Sequence, residues 1–509
     1  MTIPGLQIDL DSEVPVYRQI VDGVRAAALE GGLSPGHRLP PTRDLARQLG
    51  VNRNTVVAAY ETLAEEGWVR SHTGKGTFLV WRPNAAAEGT ESRGEADTWF
   101  TAFSRTAEGA AVGGLQTIYT MVVDPSAGIS FVGSYPAGEL IPVEPFRRAM
   151  HRTLGDHGAG ALAYGPTAGH PALRETIAGE MSRQGPPVSP DDILVTNGAQ
   201  QALEIVFRTF LDRGDAVIIE EPTYTGALSV LGALGVRTVG IPMDAEGIRP
   251  DLLAIALERH RPRLIYVQPT FHNPTTRVMS ETRRRELLAL ANRFRCPIVE
   301  DDWAGDLRFE GEDLPTLHAL DGGQHVIYLS TFSKKLMPGL RVGWLSAPPP
   351  VLERLIELKR IQDCGTSPLL QAALDVFLRE GGLREHLGRI RPAYRERRDC
   401  MMEALQRHFP PEARWDRPIG GMFIWVRLPA GFDGDDLFVA ARQNGVLYSR
   451  GELFHGDGSG RNTLRLTYSA ASQEQIESGV ATLGKLIRER WPGEDEPARQ
   501  SAAETMPIF

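Results

Sequence analysis

From residue 16 onward, Val16, Ile20 and Val24 recur at four-residue spacing, a pattern that predicts an amphipathic helix stopped by EGGLSPG. LPPTRDLARQLGV predicts a second, shorter helix with Thr42 as its N-cap, Leu45 and Leu49 turned inward, and Arg43 and Arg47 on another face. After a tight turn at Gly50, NRNTVVAAYETLAEEGW predicts a third helix capped by Asn52, its inward stripe formed by Val56, Tyr60 and Leu63. WVRSHTGKGTFLV is two short β-rich runs around a Gly-Lys-Gly tip, a hairpin. Residues 1–80 therefore predict a winged helix-turn-helix. The rhythm then lapses: residues 81–117, rich in Ala, Gly and Glu, predict a partly disordered linker. From about 118 to 490, the runs DILVT, DAVIIE, LIYVQP, CPIVED, HVIYLS and LRVGWLSA alternate with helical segments, which predicts an α/β domain with a mostly parallel sheet covered on both faces. Ligands of such a sheet gather at the carboxyl ends of its strands. Residues 491–509 read as an acidic tail.

Composition narrows the picture. A chain of 509 residues, 42% of them hydrophobic, has material for more than one core. Its apolar runs fall short of a membrane span, and MTIPGLQIDLDSEVPVY has acids where a signal peptide would be basic and then apolar, so a soluble cytoplasmic protein with no membrane partner is expected. Cys296, Cys364 and Cys400 lie far apart without a CxxC pair, which predicts neither a disulfide framework nor a metal site. The net charge of −9 leaves any DNA contact to a local patch. Four arginines and a single acid lie between residues 38 and 56. Arg53, Asn54 and Thr55, at the start of the third helix, can reach base edges or phosphates, Arg43 the backbone, and Lys75 at the wing tip the adjacent groove. The alternative is a three-helix protein-interaction module with ordinary solvated arginines.

The body places its chemistry at strand ends. In YLSTFSKKLMPGLRVGW two lysines follow an apolar run in a small-residue turn. Lys334 pointing into a site would suit a Schiff base with an aldehyde cofactor, Thr331 and Ser333 offer hydroxyls to a phosphate, and Arg341 can clamp the same phosphate. The alternative is a surface lysine; Lys335 is read as solvent-facing. LVTNGAQQALEIVF offers the backbone N–H groups of Gly198, Ala199 and Gln200 to an anion. CPIVEDDWAGDLRF sets Glu300, Asp301 and Asp302 at another strand end, where carboxylates need a cation such as a pyridinium, a metal, or a helix to cap. No histidine cluster supports the metal. YVQPTFHNPTTRVMS turns at Asn273-Pro274 and aims an amide into the crevice.

The head, from PVYRQIVDGVRAAALEGG to HTGKGTFL, closely resembles the GntR family of bacterial winged-helix regulators, and Arg43, Arg53, Thr55, Gly74 and Lys75 match that family's DNA-contacting places. The body resembles fold-type I aminotransferases that use pyridoxal 5'-phosphate (PLP). That resemblance implies a large subdomain over about 118–365 and a small one over about 366–490. It implies Lys334 as the Schiff-base residue, Asp301 against the pyridine nitrogen, Asn273 on the ring oxygen and Tyr224 stacked on the ring. It further implies Gly198, Ala199, Gln200, Thr331, Ser333 and Arg341 as the phosphate cradle, with Arg465 for an amino acid's carboxylate. One position departs from the pattern: Ala304 stands where a tyrosine is usual, three residues after the aspartate, with Trp303 before it. An indole N–H donates but cannot exchange a proton as a phenol does, which weakens the expectation of efficient transamination. The whole chain resembles the MocR-type regulators. This implies a homodimer, with the head of one chain against the body of the other, that binds double-stranded DNA with repeated half-sites. The resemblance implies a response to PLP or to an amino compound that forms an external aldimine with it. A working aminotransferase with a DNA-binding head stays as the alternative.

Overall fold

The computed structural model describes residues 3–80, apart from 7, 10–11, 13, 30–32, 34–36, 67 and 73–75, and residues 128–491, apart from 184 and 433. The expected linker at 81–117, the wing-tip residues Gly74 and Lys75, and all but the first residue of the acidic tail lie outside the described residues.

In the head, helices α1 (Val16–Leu29), α2 (Thr42–Leu49) and α3 (Arg53–Glu65) pack with a hairpin of β1 (Val69–His72) and β2 (Gly76–Leu79), in register Val69 to Leu79. The predicted stripes meet in one core: Ile20, Val24, Val56 and Leu63 are fully buried, and Leu45 and Tyr60 nearly so. Each such aliphatic side chain contributes roughly 1.5–3 kcal/mol by leaving water. Asn52 caps α3 as expected, its side chain accepting from the Asn54 N–H at 2.9 Å. Thr42 does not cap α2. Pro41 takes that place in an extended conformation, and its carbonyl accepts from Asp44 and Leu45, so Thr42 is already the first helical residue.

The body is built on two sheets. The larger has eight strands in the order β4-β11-β10-β9-β8-β5-β6-β7. These are β4 (Ile193–Thr196), β5 (Ala216–Glu221), β6 (Arg237–Asp244), β7 (Gly247–Ile248), β8 (Leu264–Val267), β9 (Ile298–Asp301), β10 (Val326–Thr331) and β11 (Gly343–Ser346). The pairs from β10 through β9, β8 and β5 to β6 are parallel, whereas β11 runs antiparallel to both β10 and β4. Both faces are covered. Val217, Ile219, Leu264 and Tyr266 join one cluster, and their alternates Ile218, Ile265 and Val267 join another. That period of two with apolar residues on both sides explains why these strands read as unbroken apolar runs.

The smaller sheet has the order β12-β13-β15-β14-β3: β12 (Arg414–Trp415), β13 (Phe423–Arg427), β15 (Thr463–Thr467), β14 (Val446–Arg450) and β3 (Ile129–Phe131). Its edge strand β3 pairs parallel to β14 although it precedes the entire large sheet in sequence. The small subdomain therefore draws on residues well before 366. The long helix Gly382–His408 and the helix Gln473–Glu489 pack together beside this sheet in one core. Head and body meet where the Gly5 N–H donates to Asp436 Oδ1 at 3.1 Å. Among the described residues no helix is long and apolar enough to cross a membrane.

Candidate functional site

A cavity of about 630 Å³ opens at the carboxyl ends of the large sheet's strands, against the small subdomain. Several strands of the large sheet deliver polar residues to it at their last positions or just beyond. β9 ends in Asp301, β10 in Thr331, and β8 runs on to Gln268 and Asn273.

Asp301 is buried and its Oδ2 accepts from the Tyr266 hydroxyl at 2.7 Å. Its Oδ1 has no hydrogen-bond partner among the described residues, and burial pushes the carboxyl up to about 7. Such an oxygen is costly unless a cation or donor meets it. Its two neighbours answer to the other expectations. Glu300 accepts the N–H groups of Leu317 and His318, both at 2.8 Å, and so caps a helix. Asp302 accepts from the Tyr328 hydroxyl at 2.8 Å.

Lys334 lines the cavity, and its amine is pulled down to about 8, first by burial and then by the positive charges of Arg465 and Arg341. Beside it, the Ser333 N–H donates to Thr331 Oγ1 at 3.1 Å, and Arg341 Nη1 donates to Ser333 Oγ at 3.3 Å. Arg341 Nη2 reaches the Asn197 carbonyl at 3.1 Å and lies over Gly198, where a Cβ would sit 2.7 Å from it. Gly198, with φ of 83°, opens the helix Ala199–Phe210, whose first N–H groups, on Ala199 and Gln200, have no intrahelical partner. These groups form a cradle for an anion, and a side chain at 198 would fill it.

Tyr224 lines the cavity, its hydroxyl donating to Gln200 Oε1 at 3.3 Å. Buried Asn273 accepts from Arg465 Nη1 at 2.8 Å. Arg465 Nη2 also donates to the Val132 carbonyl at 2.8 Å and to Ser449 Oγ at 3.2 Å, and its guanidinium lies between Phe423 and Phe454. Trp303 stacks on Phe423 with ring centroids 5.2 Å apart, and its buried indole N–H has no hydrogen-bond partner among the described residues. The cavity thus brings together Ala199, Tyr224, Asn273, Asp301, Trp303, Thr331, Ser333, Lys334, Arg341 and Arg465, with Gly198 and Gln200 beside it. The orphaned Asp301 oxygen, the anion cradle and the depressed lysine fit a phosphorylated pyridine aldehyde.

Lys335 corrects an expectation. It is buried, not solvent-facing, and pairs with Asp306. Several wall residues were not anticipated, Gln268, Val132 and Tyr135 among them. Gln268 follows β8 in the same strand-end position as the others and was open to the same reasoning. Val132 and Tyr135 come from a short segment after β3 that has no periodic signature.

A second polar surface lies on the head, where Arg43, Arg53 and Asn54 are exposed and Thr55 is half-buried, grouped at the starts of α2 and α3. Glu66, at the other end of α3, is drawn into a pair with Arg25.

A winged helix-turn-helix joined to an aminotransferase-fold body, with a polar cavity at the strand ends of that body, defines the class. Residues 16–79 match the gntR family of bacterial regulatory proteins, and residues 132–483 match the aminotransferase class I and II family. The HTH-type transcriptional regulator YisV of Bacillus subtilis is 34% identical over 96% of this chain and 99% of its own length. The probable rhizopine catabolism regulatory protein MocR of Rhizobium meliloti is 34% identical over 94% of this chain and 95% of its own. The crystal structure of LysN, an alpha-aminoadipate aminotransferase of Thermus thermophilus complexed with N-(5'-phosphopyridoxyl)-L-leucine, matches with a TM-score of 0.72 at 38% identity, over 77% of this chain and 98% of that one. The chain belongs to the gntR family, in its MocR-type branch of transcriptional regulators with an aminotransferase class I and II body.

Proposed function

We propose that this regulator holds PLP as a Schiff base on Lys334, and that PLP, or an amino compound that joins it there, sets the head's affinity for DNA. One observation carries the reading: a lysine drawn toward neutrality shares its cavity with a buried carboxylate whose Oδ1 has no hydrogen-bond partner among the described residues. The bound cofactor supplies an electrophilic carbon and, with its ring nitrogen protonated, an electron sink. The chain does the rest. Asp301, oriented by Tyr266, supplies the negative charge for the ring nitrogen. Thr331, Ser333, Arg341 and the N–H groups of Ala199 and Gln200 take the phosphate. Asn273 and Trp303 serve the ring oxygen, and Tyr224, steadied by Gln200, covers the ring. Arg465 takes an effector's carboxylate. Both of its Nη atoms already serve Asn273, Val132 and Ser449, so a carboxylate must displace part of that set, and its arrival is felt at Asn273 and in the small sheet.

The head contacts a DNA site with repeated half-sites through Arg43, Arg53, Asn54, Thr55, Gly74 and Lys75, as two heads of a cytoplasmic homodimer. Exposed Leu162 and Tyr164, which line one hollow with Asp363 and Cys364, and exposed Ile361, two residues before Asp363 in the chain, support burial against a second copy. A difference of a few kcal/mol in effector affinity between two arrangements of the heads is enough to switch DNA binding.

The test is a titration of labelled DNA from upstream of the protein's own locus, with and without PLP and a panel of amino acids, while cofactor absorbance is followed and borohydride fixes the attachment site. Colour and a label on Lys334, together with a change in DNA affinity, are expected; a protein that stays colourless overturns the reading. The other reading, a working aminotransferase, is favoured by the presence of Arg465 alongside the cofactor residues. It predicts sustained transamination that Lys334→Ala abolishes while DNA binding persists.

A further inference from the structure

We propose that Lys335 is a positioning residue for Lys334: its ion pair ties the turn that bears the Schiff-base lysine to the loop that leaves β9 just after Asp301. This rests on the cofactor reading above.

The two lysines are adjacent in a turn closed by the Leu336 N–H donating to the Phe332 carbonyl at 3.0 Å, and their side chains part company. Lys334 faces the cavity. Lys335 faces away, its ammonium over the rings of Trp344 at 4.8 Å and Phe332 at 5.5 Å, and pairs with Asp306. A buried ammonium in an aromatic cage needs a fixed counter-charge, so the pair sets a definite separation between the two segments.

Asp306 lies five residues beyond Asp301 in the same excursion, which also carries Trp303. Burial pushes the Asp306 carboxyl up, but Lys335 outweighs it and holds the group below its ordinary value. Asp302, in the same loop, is raised by burial and opposed by the same ammonium. The loop is pinned from its other side as well: the Asp306 carbonyl accepts from Arg391 Nε at 2.8 Å, on the small subdomain's long helix. The titratable and charged groups around this turn are therefore Asp302, Asp306, Tyr328, His386 and Arg391. Below this level the β9–β10 pairing joins the two segments, the Asp302 N–H donating to the Leu329 carbonyl at 2.9 Å and the Ser330 hydroxyl to the Asp302 carbonyl at 2.7 Å; the Lys335–Asp306 pair joins them beyond the strand ends. Without the pair, the strands stay joined, but the turn beyond β10 and the loop beyond β9 lose the ion pair that fixes their spacing.

The test uses the full-length protein. Lys335→Met is expected to weaken PLP binding about tenfold and to move the pH midpoint of the cofactor's absorbance by about half a unit, with Lys335→Arg restoring most of both. A Lys335→Met protein whose PLP affinity and spectral midpoint equal those of the unsubstituted protein overturns the proposal, even if its melting temperature falls, because equal losses with and without PLP mark a purely structural role. Should Lys335→Met fail to fold, the double variant Lys335→Met/Asp306→Asn, which leaves no unpaired charge, is read by the same two measurements and the same two outcomes. If the unsubstituted protein takes up no PLP, the cofactor reading fails and this inference fails with it. If it binds PLP and the variants bind equally well, only this inference fails.

Discussion

At the residue scale, Lys334 and Asp301 have displaced proton affinities in opposite senses for the same leading reason, burial. An ordinary lysine, with a pKa near 10.4, is almost wholly protonated at neutral pH. Lys334, at about 8, has a neutral fraction on the order of a hundredfold larger at pH 7. The rate of PLP attachment to the cofactor-free protein should therefore climb from pH 6.5 and level off above 8.5, which stopped-flow absorbance will show; a rate still climbing steeply at pH 10 would mean an unperturbed amine. Asp301 gives the matching stability prediction. Its folded pKa, about 7, lies above the unfolded value of about 3.9, so the folded state binds the extra proton between those limits. Its contribution is most favourable below pH 4 and is lost as pH rises through 7. Cofactor-free Asp301→Asn should accordingly gain stability over the unsubstituted protein on going from pH 5 to pH 8, by about 2–4 kcal/mol in denaturant titrations. PLP should bind that variant more weakly, because the ring nitrogen has lost its counter-charge. Lys335 shows the limit of reading single residues: two consecutive lysines in a turn have the same local pattern, and only the cage of Phe332, Trp344 and Asp306 decides which faces the cavity.

At the element scale, α3 is both a structural and a reading element. Its cap is worth about 1 kcal/mol, so Asn52→Ala should lower the head's unfolding midpoint without changing the cofactor spectrum. Arg53→Ala, one residue further on, should instead leave the head folded and weaken operator binding by about 1–3 kcal/mol, with a shallower salt dependence in anisotropy titrations. Elements with a strong period were legible before any coordinates: α1, α3, and the central strands, whose apolar residues serve two cores at once. The strand-end residues of the cavity were legible too, because a sheet of this kind concentrates its chemistry there. What stayed hidden depends on distant chain. Asn273 and Arg465, 192 residues apart, meet only once the two sheets are docked. The three residues of β3 are too few to show a period. Pro41 displaced Thr42 as the cap through its own extended backbone, which residue preference alone does not reveal.

At the scale of the whole molecule, the exposed apolar group on the body and the contact between head and small subdomain both bear on assembly. Ile361→Glu, at a residue 82% exposed, costs an isolated chain almost nothing, yet should convert the proposed dimer to a monomer in sedimentation experiments. Cysteines placed by Gly5→Cys and Asp436→Cys, in a Cys364→Ser background, should bridge on oxidation. A product of twice the chain mass is expected for heads exchanged between protomers, and a bridge within one chain would count against exchange. The entry point of the chain into the body has a mechanical corollary. β3 is hydrogen-bonded into the small sheet and runs directly into Val132 and Tyr135 on the cavity wall, and the Val132 carbonyl accepts from Arg465, so the first described strand of the body abuts the effector arginine. Under the proposed switch, a carboxylate that shifts Arg465 would therefore be felt at the point where the described body begins.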